Sequence, residues 1–266
     1  MPPADAPVAP GHPHSGVPRW DAIVVAGGRA TRLGGIDKTA LVFLGRTLLE
    51  RVLDSVAGAD EVCVVGSNQA LPERILGAVE QPRWGGPAAA VVAGLQALDD
   101  HPRTGSEPGR AADGTADWIL VLAGDLVRPD QAVSALLAAL PAAQAAGPEA
   151  VHGVISVDAD GRRQPLLAAY RRDALATAVA THRPIENLAV KTLISGLNLL
   201  EVVLTDAQID DVDTPDDAAR LGITVPGPVS PPADPVAARD AAPGPAGHRA
   251  GAASGPAEPP DPAPSE

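Results

Sequence analysis

The chain has 266 residues, 45% of them hydrophobic and 2% aromatic, and a net charge of -13. That length suits one large domain or two small ones, with a core drawn from Ala, Val, Leu and Ile. The acidic balance argues against general nucleic-acid binding, and no window has the length and apolarity of a membrane span.

The N-terminus has no basic stretch leading into an apolar one, so no secretory signal is expected and the default location is cytoplasmic. Residues 1–19 are rich in Pro, Ala, Gly and His, show no period, and read as a disordered tail. The apolar run Ala22-Ile23-Val24-Val25-Ala26 reads as a strand buried on both faces. Gly27-Gly28 breaks it, and a loop follows with Arg29, Arg32, Gly34, Gly35, Asp37 and Lys38. Glycines let backbone N–H groups approach a ligand, and the cations favour an anion, most simply nucleotide phosphates. A plain tight turn is the alternative. The loop matches neither the dinucleotide fingerprint nor the P-loop. Lys38 and Lys191 are the only lysines in a chain that otherwise uses arginine. A compact ammonium suits a phosphate oxygen.

Leu48, Leu49, Val52, Leu53 and Val56 recur at helical spacing, with Gly58 as a stop. EVCVVGSN reads as a second buried strand, and its Cys63, the single cysteine, as a buried small hydrophobe. Pro72 is expected to open a short helix to Leu76, and Ala78-Val79-Glu80 to form a third strand. Gly85-Gly86-Pro87 leads into AAAVVAGLQAL, a small-residue helix able to pack close to a sheet. Residues 101–116 read as a polar surface insertion. DWILVLAGD is the strongest strand and ends at Asp125; a helix from Pro129 to about Leu140 follows. VHGVISVD and QPLLAAYR read as strands joined at Asp160-Gly161, ALATAVATH and NLAVKTLISGL as helices, LLEVVL as a strand and DDAARL as a last short helix.

Strands alternating with helices predict an α/β fold with a mostly parallel central sheet and helices on both faces. Ligands of such sheets sit beyond the carboxyl ends of the strands, so the residues of interest are Gly27 to Lys38, Gly66 to Asn68, Glu80 to Pro87, and Asp125. Asp125 fits a Mg²⁺ ligand beside phosphates, or a turn aspartate. The domain is expected over residues 20–222. Residues 223–266, dominated by Pro, Ala and Gly, read as a disordered C-terminal tail.

The stretch VAGGRATRLGGIDKTALVFLGRTLLERVL closely resembles the N-terminal signature of MobA-like nucleotidyltransferases, the molybdenum cofactor guanylyltransferases. The resemblance implies a three-layer Rossmann-like nucleotidyltransferase fold. It implies transfer of GMP from GTP to molybdopterin, in its molybdenum-bearing form, with release of pyrophosphate. Val25, Ala26, Gly27, Gly28, Lys38, Glu80, Gly86 and Asp125 would line the nucleotide. Lys38, Arg32 and Asp125 would carry catalysis, and Asp125 with Asp213 would hold Mg²⁺. LAGDLVRP resembles the family's metal-binding segment, with Val127-Arg128 placed between Leu126 and Pro129. DVDTPDD resembles its ending, where Thr214 also fits a helix cap and Pro215 the first helical turn. Gly85-Gly86-Pro87 resembles the family's GPLAG turn. Glu80 and Gln81 stand near the family's guanine-reading Asp, with a spacing to that turn about one residue shorter. An ionised carboxylate only accepts hydrogen bonds, which suits guanine N1–H and N2–H₂. Gly66 replaces the family's Asn. Gln164-Pro165-Leu166 resembles the segment facing the acceptor, with Arg162, Arg163, Arg171 and Arg172 around it as phosphate partners or as solvated arginines. Transient contacts with molybdoenzymes or other cofactor-biosynthesis proteins are implied as well, and neither nucleic acid nor membrane. Within the fold the alternatives are another donor or acceptor, such as CTP; outside it, a nucleotide-binding protein without catalysis.

Overall fold

The computed structural model describes residues 16–27, 37–102, 115–205, 208 and 215–223. Gly28, Arg32 and Asp213 lie outside the described residues, as do most of both tails and most of the 101–116 insertion. The described residues all belong to one compact unit, Met1–Gly227.

The chain opens with β1 (Trp20–Val25), every residue of which is buried. A 3-10 turn (Lys38–Ala40) precedes a small hairpin, β2 (Val42–Phe43) and β3 (Arg46–Thr47). Helix α1 (Leu48–Ser55) starts with a capping box: Thr47 Oγ1 accepts from Glu50 N at 3.1 Å, and Glu50 Oε2 from Thr47 N at 2.8 Å. Next come β4 (Val62–Val65), β5 (Leu76–Ala78), α2 (Pro87–Asp100), β6 (Trp118–Ala123) and α3 (Pro129–Ala146). The chain continues with β7 (Gly153–Val157), β8 (Arg163–Arg171), α4 (Arg172–Thr181), α5 (Val190–Leu193), β9 (Leu199–Val203) and α6 (Pro215–Leu221).

The seven-stranded sheet has the order β5-β4-β1-β6-β8-β7-β9. Four pairs are parallel, and β8 runs antiparallel to both its neighbours. Alternating side chains feed two cores, one on each face. Ala22 and Val24 point to the core that includes Leu49, Val52, Val133 and Leu136, from α1 and α3. Ile23 and Val25 point to the core that includes Val91, Leu95, Leu175 and Leu193, from α2, α4 and α5. The expected three-layer α/β fold is therefore the observed one. No helix among the described residues is long and apolar enough to cross a membrane.

Three elements differ from the sequence reading. The segment after Pro72 forms a turn, Ile75 N to Pro72 O at 2.9 Å, because Leu76–Ala78 pairs with Cys63–Val65 and so becomes the strand. Helix α3 runs through Pro141 to Ala146. The buried stripe Leu136, Leu137, Leu140 and Ala143 offsets the roughly 3 kcal/mol that an interior proline costs. Within NLAVKTLISGL only Val190–Leu193 is helical.

Helix α2 crosses the sheet at close range. A Cβ on Gly94 would stand 2.6 Å from Ile23 Cγ2. Ile23 is fully buried and stiff at χ1, so it cannot retreat cheaply. Gly94→Ala should therefore destabilise by about 1–2 kcal/mol, overpacking outweighing the gain of up to about 1 kcal/mol in helix propensity. A rise in the urea midpoint would contradict this packing.

Cys63 is buried and free, and burial pushes its thiol up from 9.0 to about 12. The native state keeps the proton at a pH where the unfolded chain loses it. Its contribution is whole below pH 9 and is lost as pH rises towards 12. Wild type should thus lose stability above pH 9 more steeply than Cys63→Ala; parallel urea midpoints across that window would contradict the assignment.

Candidate nucleotide site

The chain runs from β1 outward to β4 and β5, then returns to place β6 on the other side of β1. This reversal opens a crevice at the carboxyl end of β1, where such sheets bind ligands. Three connections meet there. Gly27 follows β1, Gly66 follows β4, and Gly124-Asp125 follows β6.

The glycines are a steric requirement. Gly66 has φ +80°, and a Cβ on it would meet Gly27 Cα at 2.7 Å. A Cβ on Gly27 would in turn meet Gly66 Cα at 3.2 Å. Backbone hydrogen bonds fasten the junction: Ala26 N to Val65 O, Gly66 N to Ala78 O and Gly124 N to Val25 O, each at 2.9 Å. Gly66, which departs from the family's Asn, is thus the residue that lets the first two loops touch. The signal in the sequence was a glycine directly after a buried strand.

Lys38 stands on the 3-10 turn. Asp37 caps that turn: its Oδ1 accepts from Thr39 N at 3.0 Å and from Thr39 Oγ1 at 2.7 Å. Lys38 Nζ lies 3.8 Å from Asp125 Oδ2, and both side chains are about one-fifth exposed. Two of the three expected catalytic groups, Lys38 and Asp125, are thus brought together from points 87 residues apart in the chain, while Arg32 lies outside the described residues. Among the described residues Asp125 is the carboxylate at this position. One or two carboxylates plus phosphate oxygens suit Mg²⁺, so this donor fits a Mg²⁺ ion arriving with a nucleotide.

Glu80 is 6% exposed. Its Oε1 accepts from Trp84 N at 3.0 Å, while Oε2 is buried without a hydrogen-bond partner among the described residues. That oxygen lies 3.6 Å from where a Gly66 Cβ would be, so it borders the Gly27–Gly66 contact. A carboxylate oxygen left so costs about 1–3 kcal/mol or more. The Trp84 bond ties Glu80 to the turn that ends at Gly86, the N-cap of α2, with φ +90°. Asn187 N donates to Gly85 O at 2.7 Å and holds the turn from the opposite side.

The arginines divide between the two ends of the strands. Leu122 pairs with Leu167, so the start of β8, including Arg163 to Leu166, lies towards Asp125. Arg163 pairs with Glu201 at 2.8 Å. Arg171 pairs in register with Trp118, at the opposite end of the strands, where β6 begins. It is buried, stacks 4.7 Å over the Trp118 ring, and donates to Val151 O at 2.8 Å and Ala143 O at 3.0 Å. Arg172 bridges Asp21 and Asp99, again at the amino end of β1. Neither expected reading of Arg171 and Arg172, as acceptor-phosphate partners or as solvated arginines, holds. They are structural, because β8 is antiparallel and carries them away from the crevice.

Residues missed in the sequence are Thr39 and Gln69. Gln69 Nε2 donates to Thr39 Oγ1 at 2.7 Å. The Asp-x-Thr spacing at Asp37 signalled a local cap, but nothing in the sequence signalled the Gln69 contact.

A crevice built from glycine loops, a lysine and a carboxylate at parallel strand ends defines a nucleotide-binding α/β protein. The chain belongs to the MobA-like NTP transferase domain family, whose model matches residues 22–193. A molybdenum cofactor guanylyltransferase of Rhodopseudomonas palustris is 36% identical over 107 residues, 38% of this chain and 45% of that protein. The match thus spans less than half of that relative. A "Probable molybdenum cofactor guanylyltransferase" of Natronomonas pharaonis is 25% identical over 216 residues, 74% of this chain and 94% of that protein. Among solved structures, molybdopterin-guanine dinucleotide biosynthesis protein A from Archaeoglobus fulgidus has the same fold, with TM-score 0.50 and 19% identity over 76% of this chain and 96% of that one.

Proposed function

We propose that this protein transfers GMP from GTP to molybdenum-bearing molybdopterin and releases pyrophosphate. The observation that carries the reading is the Lys38–Asp125 pair at 3.8 Å beside the Gly27–Gly66 contact, at the carboxyl ends of the parallel strands. Family membership and the names of the relatives point the same way.

The terminal phosphate oxygen of the pterin attacks the α-phosphorus of GTP in line. A new P–O bond forms there, the bond from the α-phosphorus to the bridging oxygen breaks, and pyrophosphate leaves with the electron pair. Reactants and leaving group are all anions, so catalysis is positioning plus electrostatic stabilisation. Lys38 holds the triphosphate with a point charge, together with Arg32 and the loop N–H groups of Gly27 and Gly28, while Val25 and Ala26 line the nucleotide. Asp125, with Asp213, would hold Mg²⁺, and the ion would supply positive charge to the phosphates. Glu80 Oε2 accepts from guanine, and Gly86 lets the α2 N-terminus approach the nucleoside. The start of β8, Gln164 to Leu166, faces the acceptor. The working unit is residues 20–222.

The test follows label from the α-phosphate of GTP. With Mg²⁺ and acceptor, label should pass into a dinucleotide; EDTA should stop transfer, and added Mg²⁺ should restore it. Label remaining in GTP under these conditions, or transfer that persists in EDTA, contradicts the reading.

A further inference from the structure

We propose that Gln69 is a positioning residue for nucleotidyl transfer, orienting Thr39 and through it the turn that carries Lys38. The inference rests on the functional reading above. It starts from a hub. Thr39 is 4% exposed and sits directly after Lys38. Three neighbours converge on it. Its hydroxyl and backbone N–H both donate to Asp37 Oδ1, at 2.7 and 3.0 Å. Its methyl group, Cγ2, lies 3.2 Å from where a Gly124 Cβ would be, next to Asp125. Its Oγ1 accepts from Gln69 Nε2 at 2.7 Å.

Proton counting fixes what position 69 must be. Asp37 Oδ1 accepts from Thr39, and a threonine hydroxyl has one proton. That proton goes to Asp37. The remaining partner of Thr39 Oγ1 must therefore donate. The Gln69 amide does, whereas a carboxylate of the same shape would present an acceptor to an acceptor. Gln69 is itself held: its N–H donates to Ser67 Oγ at 3.0 Å, and Ser67 adjoins Gly66. A hydrogen-bonded line thus runs from the loop after β4, which borders Glu80, to the turn bearing Lys38, whose ammonium lies 3.8 Å from Asp125 Oδ2. Its job is to keep the Lys38 ammonium in register with the reacting phosphates.

The experiment compares wild type, Gln69→Glu, Gln69→Leu, Thr39→Val and the Gln69→Leu/Thr39→Val double variant in the full chain. Steady-state pyrophosphate release with GTP and acceptor is measured beside thermal midpoints. Misplacement of a reacting group by about 1 Å costs on the order of a hundredfold in rate. Both Gln69 variants should lose about thirty- to a hundredfold in kcat, with KM for GTP within about threefold and the midpoint within about 3 °C. The double variant should lose no more than the worse single one, because the residues act as one unit. Wild-type kcat in Gln69→Glu overturns the proposal. So do losses that multiply in the double variant, or a kcat loss that tracks a large fall in midpoint. Wild type that releases no pyrophosphate overturns the functional reading and this inference with it; active wild type with indifferent Gln69 variants overturns this inference alone.

Discussion

Asp125→Asn is expected to lower kcat by at least about a hundredfold while the protein stays folded, because removing one electrostatic stabiliser of a developing anion costs about 10²–10³ in rate. Lys38→Met should do the same. The two losses arise differently. The asparagine would keep the shape of the aspartate side chain but lose the negative charge that a hard cation needs. The methionine would keep the lysine stem and lose the point charge that meets a phosphate oxygen. Neither change should unfold the chain. The Lys38–Asp125 contact is long at 3.8 Å and partly exposed, so its contribution to stability is about 1 kcal/mol or less. The measurement is pyrophosphate release beside a thermal melt. Either variant turning over at the wild-type rate would remove that residue from the site.

The second large effect concerns Glu80. Its buried Oε2 has no hydrogen-bond partner among the described residues, which is a cost without a return unless something else donates to it. Glu80→Gln keeps the acceptor that serves Trp84 N–H and replaces Oε2 with an amide donor. That donor would face guanine N1–H or N2–H₂, donor against donor. KM for GTP should rise about ten- to a hundredfold, since hydrogen bonds to a charged group are worth about 1.5–3 kcal/mol, and kcat should change little. The free protein should be as stable as wild type or more so, because a buried charge is gone. A rise in stability together with a loss of GTP affinity is a signature that a purely structural Glu80 would not give. An unchanged KM for GTP would show that the base is read elsewhere.

Local residue chemistry made the central part of the fold legible. The uninterrupted apolar runs of β1, β4 and β6 marked strands buried on both faces, and their order marked the residues just beyond them. Lys38 stood out because the chain otherwise uses arginine, and Asp125 because it closes the most apolar strand. What stayed illegible depends on partners distant in sequence. The antiparallel course of β8 sends Arg171 to Trp118 and Arg172 to Asp21, and no local pattern at QPLLAAYR reveals that direction. Pro141 reads as a stop, yet α3 continues because its buried face rewards continuation. The need for glycine at position 66 comes from the Gly27 backbone, 39 residues earlier. The Gln69–Thr39 bond likewise spans 30 residues. Arg32, Gly28 and Asp213 lie outside the described residues, and their roles are tested by substitution.

The most direct measurement is pyrophosphate release by the purified protein with Mg²⁺, molybdenum-bearing molybdopterin and each of GTP, CTP, ATP and UTP in turn. The account predicts release with GTP that requires the acceptor, and kcat/KM for GTP at least about tenfold above that for the other nucleotides, the factor one hydrogen bond to a charged group supplies. Equal release with CTP, or none with GTP, would contradict it.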